Sequence, residues 1–318
     1  RGVLLDFGCG GSDLKKYLVK STPAVSAGQL SFVFDVREEP RQGLSGRVMG
    51  RRPADATPSA AAASPIHPAE FPLAGVALSL WKDDKLLLSG ASGEDGTYFL
   101  KVSGPLTGLT LRAELRHAGK TPSPFRIVMD DGEDALAVET EEFSLPAGTG
   151  SIERDVVLGP PGAVKPIDWH ADRLYDAALI YRYTQMAWRL IERDLAGAVP
   201  ALAFDPPLVV RTFSTSQLAK EQGAYGDMSK PELALSIARS ESANELRAGT
   251  IWHELGHVAQ GVMTGHVIPP AWQQPGYKGY HDGFVNPDTW ASYVEGFATY
   301  FAALVGRRIG GGKPGVVD

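Results

Sequence analysis

The chain has one cysteine, Cys9, in 318 residues, so no internal disulfide framework can brace it and cysteine usage leaves its redox compartment open. It has no apolar run long enough to cross a bilayer as a helix. It also lacks a concentrated basic stretch. With 31 Lys and Arg against 37 Asp and Glu the net charge is −6, which argues against nucleic acid as the main partner. Nor does it open on Met: a start at Arg1 suggests a mature form or a fragment, with any targeting signal lost from view. What is present is a 43% hydrophobic chain of soluble, globular composition, long enough for two domains. Nothing in it indicates an oligomeric state.

The most informative stretch is His253-Glu254-Leu255-Gly256-His257, an HExxH sequence inside the apolar run from Leu246 to Met263. On a helix, side chains four apart stand one above the other, so His253 and His257 offer two imidazole nitrogens to one metal ion. Glu254 falls beside the pair, where its carboxylate can hold a water and take its proton. Ser242 followed by Glu245 has the spacing of a capping box and sets the helix start just before Leu246; Gly265 is its expected stop. Leu246, Ile251, Leu255, Val258 and Val262 approximate a helical period, which buries one side and turns the histidines toward a cleft. A buried helix with its histidines merely hydrogen-bonded would leave the HExxH order unexplained. A catalytic zinc site takes three protein ligands and keeps an open position. The best third ligand is Glu295, in the apolar, aromatic run Trp290 to Phe301, where a lone carboxylate is costly to bury unless something positive meets it.

HELGH followed by Glu295-Gly296-Phe297-Ala298-Thr299-Tyr300 resembles the gluzincin zinc peptidases, whose third ligand is a glutamate on a second helix, often in an EGxAxY context. The resemblance covers about the last half of the chain and implies an α+β, zincin-like metallopeptidase domain over residues 161–318. It implies zinc held by His253, His257 and Glu295, Glu254 as general base, and hydrolysis of a peptide bond in a peptide or protein substrate. The sequence departs from the family pattern in two ways. Thr264 to Asp288 separate the HExxH from Glu295 by more than in the aminopeptidase branch. The family's oxyanion-stabilising Tyr or His lies well beyond the third ligand, whereas this chain ends at Asp318. Either the domain is truncated or a nearer residue serves: Tyr280, His281 or Tyr300, with His281 in the Gly-rich stretch Gly276 to Gly283 the first candidate. For each, ordinary packing or a surface loop is the alternative. If Glu295 is not the third ligand, His281 or Asp282 takes its place. The competing reading is a catalytically inactive or incomplete zinc domain that acts with the upstream domain as a binding or adhesion module. Retention of Glu254 favours the enzyme, because a structural zinc site has no use for it.

At the N-terminus, Val3 to Ser12 reads as a strand ending in DxGCG before a helix. It resembles the first motif of S-adenosylmethionine-dependent methyltransferases, with Asp6, Gly8 and Gly10 shaping a nucleotide loop. That fold needs several βα units and the chain supplies none, so residues 1–42 are expected as a short strand and helix packed on the next domain. From Leu30 to Leu158 short alternating runs are separated by Gly, Asp and Pro turns, which predicts an all-β sandwich. SGRVMG, then PLAGVALSLW, then SGASGEDGTYFLKV resembles the carboxypeptidase regulatory-like, transthyretin-like domain over residues 43–160. That resemblance implies a structural or adhesive role and, through the domain pairing, an extracellular or periplasmic location. The proline-rich stretch Arg51 to Phe71 reads as a loop, and the acidic cluster Asp130 to Asp134 as a solvated turn in preference to a calcium site. After the linker Pro160-Pro161-Gly162 a helix is expected, with Leu174, Ala178, Tyr181, Trp188, Ile191 and Leu195 on one face and Asp168 or Asp172 as cap. Strands follow at Pro207 to Phe213 and Glu232 to Ala238. Metallopeptidases of this design imply that the second is the sheet edge on which an extended peptide pairs.

Overall fold

A computed structural model describes residues 3–6, 16–26, 29–38, 43–52, 69–102, 105–118, 124–130, 132–147, 151–159, 164–167, 173–195, 204, 206–216, 219–220, 223–237, 248–267 and 289–309. The fold is mostly β-sheet with a few helices. β1 (Val3–Asp6), β2 (Lys16–Ser26) and β3 (Gln29–Glu38) form an antiparallel sheet in which Asp6 pairs with Lys16. This corrects the helix expected after the Gly-rich turn. The segment carries the β-branched Val19, Thr22 and Val25, which favour extended backbone, and Pro23, which a helix interior excludes. A returning hairpin strand is not a strand–loop–helix unit, so Asp6 does not end a nucleotide-binding strand; Gly8 and Gly10 lie outside the described residues.

β4 (Gly43–Arg51) runs through a five-stranded sheet. It pairs antiparallel with β5 (Glu70–Pro72) and β8 (Thr97–Lys101), and parallel with β13 (Ser151–Glu153) and β14 (Val156–Leu158). The run expected as one strand from Ile152 to Leu158 is thus broken at Arg154–Asp155, where Asp155 Oδ1 accepts the Arg47 N–H at 2.8 Å. A second, ten-stranded sheet has the order β15 (Val164–Ile167), β11 (Ala137–Thr140), β9 (Leu106–His117), β10 (Phe125–Met129), β16 (Leu208–Thr212), β18 (Glu232–Leu235), β17 (Ala224–Asp227). β6 (Val76–Lys82) and β12 (Phe143–Leu145) pair with β9, and β7 (Lys85–Ala91) pairs with β6. Alternate residues turn inward as a pleated strand requires: Leu109, Leu111, Ala113 and Leu115 on β9 are all fully buried. They share one apolar core with Leu44, Val48, Tyr98 and Leu100 of the smaller sheet. The turn between β7 and β8 is closed by Asp95, whose Oδ1 accepts the Thr97 N–H at 3.0 Å and its hydroxyl at 2.6 Å beside Gly96 at φ +77°.

Strands from both sides of the Pro160-Pro161-Gly162 linker belong to the ten-stranded sheet. β10 pairs parallel with β16, from Phe125↔Leu208 to Met129↔Thr212. Arg211 on β16 donates to the carbonyls of Asp130 and Gly132, at 3.0 and 2.9 Å. The Asp130 carboxylate accepts the N–H and hydroxyl of Thr215. The acidic cluster is therefore a turn tied to the next strand, its Glu133 paired with Arg126 at 3.3 Å; Asp131 lies outside the described residues.

α1 (Leu174–Leu190), extended by a π-helical turn over Ile191–Leu195, begins only after β15 has returned the chain to the sheet, not directly after the linker. Leu174, Ala178, Tyr181, Trp188 and Ile191 are buried as the periodicity requires. The Tyr181 hydroxyl donates to the Ala74 carbonyl at 2.9 Å, and the Gln185 amide donates to the same oxygen, which locks the helix to the β-layer. Its N-cap position is Arg173, which forms a buried ion pair with Asp176 at 2.9 Å; Asp168 and Asp172 lie outside the described residues.

Candidate metal centre

α2 (Ala248–Met263) carries the HExxH and α3 (Thr289–Ile309) carries Glu295. The start expected at Ser242 to Leu246 lies outside the described residues. The stop is at Gly265, which takes φ +69°: its N–H bonds to the Val262 carbonyl and the next N–H, of His266, to that of Gly261 at 2.6 Å. These crossed bonds satisfy the last carbonyls of α2 in the way a glycine C-cap allows. Trp252 is fully buried and donates its Nε1–H to the Tyr183 carbonyl of α1 at 3.0 Å, fixing the rotation of α2 about its own axis.

The two helices cross where both motifs carry small residues. A Cβ on Gly256 would sit 2.8 Å from Ala298 Cα and 3.2 Å from Phe301 Cβ, so glycine in HELGH and alanine in EGFATY are what let the backbones approach. We expect Gly256→Val to cost about 1–3 kcal/mol through overpacking at a site that cannot give way. Thermal denaturation reads this as a lowered Tm. An unchanged Tm would mean that the helices are not in contact at this point.

That close crossing brings three side chains together. His253 Nε2 lies 3.2 Å from Glu295 Oε2 and 3.1 Å from His257 Nε2, and His257 Nε2 lies 3.6 Å from Glu295 Oε1. Among the described residues these are the one group of three or more His, Cys, Asp or Glu whose ligand atoms, within 4.8 Å of one another, could hold a metal ion. Two imidazole nitrogens and a carboxylate oxygen form a donor set whose chemistry fits zinc. Glu295 and His257 are buried, while the His253 side chain remains 21% exposed and opens the cluster toward solvent. Burial disfavours the charged form of His253. The hydrogen bond to Glu295 and the charges of Glu254 and Glu295 outweigh that effect and raise its pKa above the ordinary histidine value.

Glu254 stays out of the cluster. Its Oε2 accepts the N–H of Gly226 on β17 at 2.8 Å. β17 lies so close to α2 that a Cβ on Gly226 would overlap the Glu254 carbonyl and come within 3.1 Å of His257 Cβ. This corrects the expected edge. Glu232–Leu235 lies inside the sheet, between β16 and β17, and β17 is the last of the described strands. Sequence reading passed over Ala224-Tyr225-Gly226-Asp227 because it has no apolar alternation; the only hint was a glycine pair, Gly223 and Gly226. It also missed Thr299, one turn after Glu295, whose hydroxyl lies 3.4 Å from His253 Nδ1. Tyr300 is 63% exposed. Five residues on from Glu295, it points about 140° away round the helix and is not brought to the cluster. Tyr280, His281 and Asp282 lie outside the described residues.

Comparison with protein-family models, with curated proteins and with solved structures found no match. The class of site is thus defined by the residues themselves: a His-His-Glu cluster able to bind a metal ion, on two crossing helices beside the edge of a β-sheet. No described helix is long and apolar enough to cross a membrane.

Proposed function

We propose that this chain is a zinc-dependent metallopeptidase of the gluzincin type, carrying an upstream carboxypeptidase regulatory-like β-sandwich and cleaving peptide bonds in an extended peptide or protein outside the cytoplasm. The observation that carries the reading is the position of Glu254: beside a three-donor centre, excluded from it, and held at the sheet edge by the Gly226 N–H at 2.8 Å. A structural ion would fill its fourth position with protein and would not need this carboxylate.

His253, His257 and Glu295 would hold the zinc, which when bound supplies a Lewis acid and a water acidic enough to be deprotonated near neutral pH. Glu254 accepts the proton of the attacking water on a carboxylate oxygen, then delivers it to the nitrogen of the leaving amine. Thr299 orients the His253 ring through Nδ1 and so leaves Nε2 for the ion. β17 offers extended backbone along which a substrate strand can lie.

The test is hydrolysis of a mixed peptide library in zinc-containing buffer, read by mass spectrometry before and after chelation. Cleavage that stops with chelator and returns with zinc is the expected result. No cleavage while zinc remains bound would overturn the proposal in favour of a binding or adhesion module.

A further inference from the structure

β17 is the last strand of the ten-stranded sheet, and no described strand pairs with its outer side. In an antiparallel pair, successive residues direct their N–H and C=O alternately to the partner strand and away from it. Gly226 stands opposite Leu233 of β18, yet its N–H goes to Glu254 Oε2 at 2.8 Å. Gly226 is therefore one of the residues that face the free edge, and the same parity assigns Ala224 to it. β17 has four residues, so Ala224 and Gly226 carry its outward N–H groups. One of these is occupied by the general base of the proposed reaction.

We propose that Glu254 stands in, in the resting protein, for the substrate backbone: an arriving peptide strand takes the Gly226 N–H with its own carbonyl, displaces the carboxylate and frees it for proton transfer. This rests on the peptidase reading and deepens it by coupling substrate register to the release of the base. The two acceptors compete for one donor: Glu254 Oε2 already lies 2.8 Å from the Gly226 nitrogen, in the place where a strand paired at this edge would bring its carbonyl. The bond to be displaced is a charge-assisted one and competes directly with a neutral peptide carbonyl. Edge pairing alone predicts equal affinities whatever stands at position 254, because it gives the carboxylate no part in the free state.

The test compares zinc-loaded Glu254→Gln with zinc-loaded Glu254→Ala. Both are measured for binding to a peptide that the wild-type protein cleaves in the library assay. Glutamine keeps an oxygen that can accept the Gly226 N–H, whereas alanine removes it. The alanine variant is expected to bind the peptide about 3–10-fold more tightly than the glutamine variant, as one neutral hydrogen bond of about 1 kcal/mol implies. In the peptide-free proteins, the Gly226 amide should also exchange with solvent faster in the alanine variant. Equal affinities, or tighter binding by the glutamine variant, would overturn the displacement and leave the peptidase standing. If the wild type cleaves no library peptide and neither variant binds one, the peptidase reading fails and the displacement fails with it.

Discussion

Replacing Glu254 with Gln is expected to lower kcat/KM on a cleaved peptide by a factor of about 10²–10⁴, the contribution of a positioned general base, while zinc content and fold are retained. The substitution conserves shape, and the amide oxygen can still accept the Gly226 N–H that holds this side chain at the edge of β17. What it removes is the capacity to take a proton. Glu254 makes no part of the His253, His257 and Glu295 cluster, so loss of rate without loss of metal separates catalysis from binding. A variant that turned over at near wild-type rate with zinc present would remove Glu254 from the mechanism.

The second large effect is on the ion itself. Glu295→Ala should weaken zinc binding by more than about 100-fold, beyond what is lost when only the supporting shell of a metal site is disturbed. Glu295 supplies the one anionic donor, within 3.2 Å of His253 Nε2 and 3.6 Å of His257 Nε2, and it is buried where water can replace it poorly. Two imidazoles on a single helix would remain. Metal content after dialysis against a weak chelator measures the difference. Unchanged content would move the third ligand elsewhere, with His281 and Asp282 the first residues to replace.

Much of the His253, His257 and Glu295 cluster is legible in the sequence. HExxH encodes its own geometry, because two residues four apart on a helix meet whatever surrounds them. The helix stop at Gly265 was legible for a similar reason: a left-handed backbone turn at φ +69° is open to glycine and strained for most other residues. Glu295 stood out because a carboxylate among Trp290, Tyr293, Val294 and Phe301 requires a positive partner. The alternating runs likewise marked β4, β6 and β9, whose inner residues are buried in the core. β2 was misread. A Gly-rich turn after a strand leaves open whether the chain continues as a helix or folds back, and the fold-back is a matter of pairing between Asp6 and Lys16.

The sequence by itself determined local terms: the four-residue spacing that brings His253 and His257 together, the glycine stop at Gly265, and the alternation that marks strands such as β4 and β9. Only the tertiary structure decided that β10 and β16 join one sheet across the linker, that β17 and not Glu232–Leu235 is the outermost of the described strands, and that Gly226 meets Glu254 there. The reason is physical. Periodicity reports which face of a segment is buried, but a strand is an edge or an interior strand according to what pairs beside it. That partner lies far along the chain and leaves no local mark in the residues it joins.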